Sequence, residues 1–107
     1  MDEKREVDII KNVRTIEWLK SELLTSVAYL YKTLSEGEDD TNKDLEDTIS
    51  NIMLLSFLLS KRLGLDYENI SSNLEDKIRL NILEDHKIEK WYGDLSELLE
   101  FIKSKQE

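Results

Sequence analysis

Apolar residues recur at helical spacing along most of the chain. From Ile9 they continue through Val13, Ile16, Leu19, Leu23, Val27, Leu30 and Leu34, in steps of three and four that draw one stripe down a helix. Asp8 stands where an N-cap belongs. The charged residues before it are expected to fray, and the helix either runs on unbroken or divides near Asn12–Thr15. Gly37 should end it, and the acidic run Glu36–Asp40 reads as a linker. So short a connection makes the first two long helices antiparallel neighbours.

The second helix, starting near Thr41 or Asn42 and ending before Gly64, is the most apolar stretch. Ile49, Ile52, Met53, Leu54, Leu55, Phe57, Leu58 and Leu59 crowd more than one of its faces, which predicts burial on more than one side. Thr41 with Asp44 resembles a weakened capping box, and Lys61 and Arg62 suit the negative end of the helix dipole. A third helix follows from Asp66 as cap, with Ile70, Leu74 and Ile78 as its stripe. Residues 81–93 either extend it or form a separate turn. Gly93 stops that segment, Asp94-Leu-Ser-Glu97 imitates a capping box, and Leu95, Leu98, Leu99 and Ile102 make the core of a short final helix. The expectation is an all-α fold of three to four main helices in one domain, 1–107, with its core at about 8–102. Such helices bury little on their own. A homodimer or higher homo-oligomer using the second helix, or the faces beside it, is therefore expected.

Composition narrows the function. The chain of 107 residues has no proline, no cysteine, one histidine and a formal net charge of −9. No thiol nucleophile, disulfide framework or cysteine-based zinc site is available. The acidic balance opposes a nucleic-acid partner, which needs clustered cations, and opposes an anionic membrane surface. The apolar runs are too short for a membrane span. MDEKREVDII lacks the apolar run of a signal peptide, so a cytoplasmic location is expected. His86, among Glu84, Asp85 and Glu89, reads as a surface residue rather than a metal or acid–base site, and a lone histidine supports no triad. Trp18, Tyr29, Trp91 and Tyr92 read as core or interface anchors before they read as a platform for a base.

Three segments carry a family resemblance: SELLTSVAYLYKTL on the first helix, LEDTISNIMLLSFLLSKRLGLD on the second, and LEDKIRLNI on the third. Together they resemble the MazG-like all-α nucleoside triphosphate pyrophosphohydrolases. IEWLKSELL and EDHKIEKWYGDLSELL add a likeness to a small clostridial-type subgroup. The resemblance implies an antiparallel helical bundle that splits a nucleoside triphosphate into monophosphate and pyrophosphate. In that family Glu-x-x-Glu on one helix and Glu-x-x-Asp on the next hold Mg²⁺. Carboxylates at i and i+3 share a helix face, and Mg²⁺ takes hard oxygen ligands in octahedral geometry.

Aligned on RLGLD, the four ligand positions fall on Glu22, Thr25, Thr48 and Asn51. Glu22 alone is a carboxylate and so the one candidate catalytic residue. Asp44 and Asp47 make a carboxylate pair one turn earlier, but the matching positions on the first helix, Ser26 and Tyr29, add none. Glu46 lies about 160° around the helix from Asn51, at about 100° per residue. By resemblance Lys77, Arg79 and Asn81 correspond to phosphate-holding positions, although as residues they read equally as solvated charges. Two functions follow: a divergent pyrophosphohydrolase, its activity weak or lost, and a catalytically inactive helical module that binds a nucleotide or a protein partner.

Overall fold

In the computed structural model, residues 2–37 and 42–106 are described. They form five helices and no strand: α1 (Asp2–Glu36), α2 (Asn42–Arg62), α3 (Tyr67–Leu83), α4 (Lys87–Tyr92) and α5 (Asp94–Gln106). The all-α expectation holds. The main helices are α1, α2, α3 and α5, within the expected three to four, and residues 81–93 hold both the end of α3 and a separate six-residue helix, α4. The chain forms two compact units, Met1–Asp66 and Tyr67–Glu107.

In the first unit α1 packs along α2. The pair is antiparallel. Asn12, early in α1, donates through Nδ2 to the carbonyl of Arg62 at the end of α2 at 3.0 Å, while Ser26 meets Asn51 near the middle. The inner face of α1 carries Thr15, Ile16, Leu19, Leu23, Ser26, Val27, Leu30 and Thr33 at helical spacing. Leu19 and Leu55 are its buried apolar residues, and Ser26, Thr33 and Thr48 are buried small polar ones.

The expected start of α1 is corrected, and its continuity is settled. Residues before Asp8 are helical from Asp2 onward, so Asp8 is an interior residue and not an N-cap. That segment contains neither glycine nor proline, and its lysine, arginine and glutamates are good helix formers. The helix does not divide near Asn12–Thr15. Thr15 accommodates there by bonding back to the Lys11 carbonyl at 2.8 Å. The burial of α2 is deepest along the stripe of Thr48 and Leu55, and Phe57 on the opposite face is half-buried, while Ile49, Met53, Leu54 and Leu58 remain exposed on its flanks. The proposed Thr41 cap lies outside the described residues.

Helix α2 ends as its sequence predicts, with Lys61 and Arg62 in the last turn. The N–H of Leu65 reaches the carbonyl of Ser60, and that of Gly64 the carbonyl of Lys61, with Gly64 at φ 87°. This is a Schellman closure with its left-handed glycine. Helix α3 closes in the same way, with Asp85 at φ 60° in the glycine's place. Aspartate tolerates that conformation better than most residues.

In the second unit α3 and α4 each pack on α5. Ile78 is buried, and Leu95, Leu99 and Ile102 are half-buried along α5. His86 caps α4, its Nδ1 accepting the N–H of Ile88 at 3.2 Å, so the lone histidine has a structural task. Gly93, at φ 69°, ends α4, and its carbonyl accepts the N–H of Glu97.

The capping box read from Asp94 to Glu97 is not the device used. Asp94 is already helical, and Glu89 of α4 takes the orphan donor at the start of α5, accepting both the N–H of Ser96 (3.0 Å) and its hydroxyl. The Ser96 hydroxyl first, and its N–H second, hold the Glu89 carboxyl below the usual carboxylate range. A carboxyl with a depressed folded pKa stabilises the fold above its unfolded pKa and loses that contribution as pH falls through the folded value. Glu89→Gln is therefore expected to melt below the parent at neutral pH. The difference should shrink as the solution is acidified below about pH 4. Thermal melts across that range check it.

Candidate functional site

The four positions that the resemblance assigns as ligands are divided between the paired helices, Glu22 and Thr25 on α1 and Thr48 and Asn51 on α2, and Asn51 contacts α1 at Ser26. Glu22 is half-buried and Thr25 exposed on α1; Thr48 is buried on α2. Asn51 is committed to structure: its Nδ2 donates to Ser26 Oγ at 2.9 Å in a partly buried bond between the helices. Ser26 is itself buried, so its oxygen needs a partner, and Asn51 supplies one. A neutral amide–hydroxyl bond thus joins the two helices there.

The donor set does not fit Mg²⁺. It offers one carboxylate, two hydroxyls and an amide already used, too little negative charge to offset dehydration of the ion. The neighbouring acids do not repair it. Asp47 pairs with Lys43 at 3.4 Å on the exposed first turns of α2, and Asp44 is exposed beside it. Among the described residues no group of three or more His, Cys, Asp or Glu comes together to hold a metal.

The proposed phosphate-holding residues belong to the second unit, on α3. Arg79 pairs with Glu75 one turn back at 3.3 Å, an ordinary helix-surface ion pair. Lys77 is exposed, and Asn81 is half-buried with its carbonyl accepting the N–H of His86.

A family model describing the MazG-like family matches residues 9–95, most of the chain. The chain belongs to the MazG-like family. No curated protein and no solved structure matches it.

In this MazG-like chain the positions that the resemblance aligns with the family's acidic pattern adjoin a neutral contact between the helices. The site residue that the sequence did not single out is Ser26. Its signal was its place in the α1 stripe, one position after Thr25 and aligned with Leu19, Leu23 and Leu30. A serine there is buried and must find a bond. The aromatic residues are not core anchors. Trp18, Tyr29, Trp91 and Tyr92 are all exposed in the chain itself. Trp91 stands edge-on to Tyr92 with ring centroids 6.5 Å apart, and the ammonium of Lys87 lies 5.8 Å from the Trp91 ring. No helix among the described residues is long and apolar enough to cross a membrane.

Proposed function

We propose that this protein is a MazG-like domain whose nucleoside triphosphate pyrophosphohydrolase activity is weak or lost, and that it works as a binding module. The observation that carries this reading is the Ser26–Asn51 bond beside the buried Thr48, where the family chemistry calls for carboxylates. Without a carboxylate cluster there is no support for a bridging ion, and so none for activating water or neutralising a triphosphate.

The occupant this reading favours is protein, with a second copy of the chain first. Ile49 and Met53 on one flank of α2, and Leu54 and Leu58 on the other, leave apolar rows that α1 does not cover. Exposed apolar rows of this kind mark interaction surfaces.

The test is a melting series with Mg²⁺ and a nucleoside triphosphate, alone and together. A bound ligand raises stability by about 2.7 kcal/mol at a hundredfold excess over its Kd. The proposed reading gives no shift with the ion or the pair, and a Glu22→Gln variant within about 0.5 kcal/mol of the parent. A shift that needs Mg²⁺ and vanishes in Glu22→Gln would instead establish a divergent metal site built on Glu22.

A further inference from the structure

Two exposed helix strips carry matching patterns of charge and apolar surface. On α1 a groove of about 390 Å³ is lined by Val7, Ile10, Lys11, Arg14 and Trp18, with Thr15 at its edge. Its Val7, Ile10 and Lys11 lie on the part of α1 that runs past the end of α2, where Asn12 meets Arg62. On α5 a second strip consists of Asp94, Glu97, Leu98 and Phe101. Each follows the i, i+3, i+4, i+7 spacing of a single helix face. The apolar members are all open to solvent: Trp18 is 58% exposed and Phe101 56%. Among the described residues the side chains of Lys11, Arg14, Asp94 and Glu97 have no ion-pair partner.

Laid antiparallel, the four residues of the α5 strip match four of the six that line the α1 groove. Asp94 comes opposite Arg14, Glu97 opposite Lys11, Leu98 opposite Ile10 and Phe101 opposite Val7. Acid meets base at one end and apolar meets apolar at the other, with the spacing between matched positions equal on both helices. We infer that α5 of one copy of this chain docks antiparallel on α1 of a second copy, and reciprocally. This deepens the self-association reading above, and rests on it, by naming the surfaces. One strip is too small for stable association, which takes about 800 Å² per partner. A two-fold arrangement doubles it and closes the assembly. Complementary charge fixes the register and disfavours the parallel pairing, which would set Asp94 and Glu97 against Val7 and Ile10.

Sedimentation velocity over a concentration series, on two charge-reversed variants, tests the inference. Lys11→Glu/Arg14→Glu makes both strips of a chain acidic; Asp94→Lys/Glu97→Lys makes both basic. Each alone should dimerise at least tenfold more weakly than the parent. The equimolar mixture should recover dimerisation, because every α1–α5 contact between unlike chains is again acid on base. Circular dichroism is recorded on each variant, and the neutral pair Lys11→Gln/Arg14→Gln serves if a reversal unfolds, with a smaller weakening expected. Variants that dimerise as well as the parent, or a mixture that recovers nothing, would overturn the α1–α5 contact and leave self-association through α2 standing. A parent that stays monomeric throughout would overturn both.

Discussion

The triple variant Thr25→Glu/Thr48→Glu/Asn51→Asp should be less stable than the parent by about 3–5 kcal/mol in a chelator, and should regain much of that loss on adding Mg²⁺. The replacements put carboxylates at all four positions that the resemblance assigns. They also remove the amide that donates to Ser26 and set a charge where Thr48 is buried. Uncompensated charges there repel one another and are poorly solvated, which is the source of the destabilisation. A divalent ion with octahedral demand for oxygen is what such a set is suited to hold. Melting temperature against Mg²⁺ concentration checks this. The parent should give a flat line and the variant a saturating rise. A variant that is destabilised and indifferent to Mg²⁺ would mean that the helices do not present these four positions to one point.

The second large effect is expected at Leu19. It is the most enclosed apolar residue of the first unit, 2% exposed, and faces α2 along with few other buried apolar groups. Leu19→Ala removes buried methyl groups and leaves a cavity between two helices that cannot close over it without losing their register. The expected cost is about 3 kcal/mol or more, a large share of the 5–15 kcal/mol by which domains are stable. Leu24→Ala, on the same helix but 70% exposed, should change stability by less than about 0.5 kcal/mol. Urea unfolding of the two variants side by side separates them. Equal losses would place the helix face wrongly.

Much of this architecture was written in local pattern. The three-and-four spacing from Ile9 to Leu34 located the buried side of α1, and Lys61, Arg62 and Gly64 located the end of α2. Both signals act within a few residues, so sequence displays them directly. The start of α1 was misplaced because Asp8 has the chemistry of a cap but sits within a run that already favours helix. The α4–α5 corner was misassigned because its capping group, Glu89, lies seven residues before the serine it serves and on another helix. A pattern confined to one helix start cannot reveal such a bond.

The site was legible in the same uneven way. That three of the four family ligand positions lack a carboxylate is plain in the sequence. That Asn51 crosses to Ser26 is not, because it depends on how the two helices are rotated and slid against each other. Likewise, the surplus of apolar residues on α2 is plain in the sequence. Which surfaces α1 and α5 leave open became visible only once each helix had chosen its buried stripe.

The central claim is that the hydrolytic site has been given up to a neutral contact between α1 and α2. Its most direct test is pyrophosphate release from a panel of canonical and modified nucleoside triphosphates, with Mg²⁺, with Mn²⁺ and with neither, on the parent and Glu22→Gln together. The account predicts no metal-dependent release from any substrate. Release that needs the ion and disappears in Glu22→Gln would contradict it.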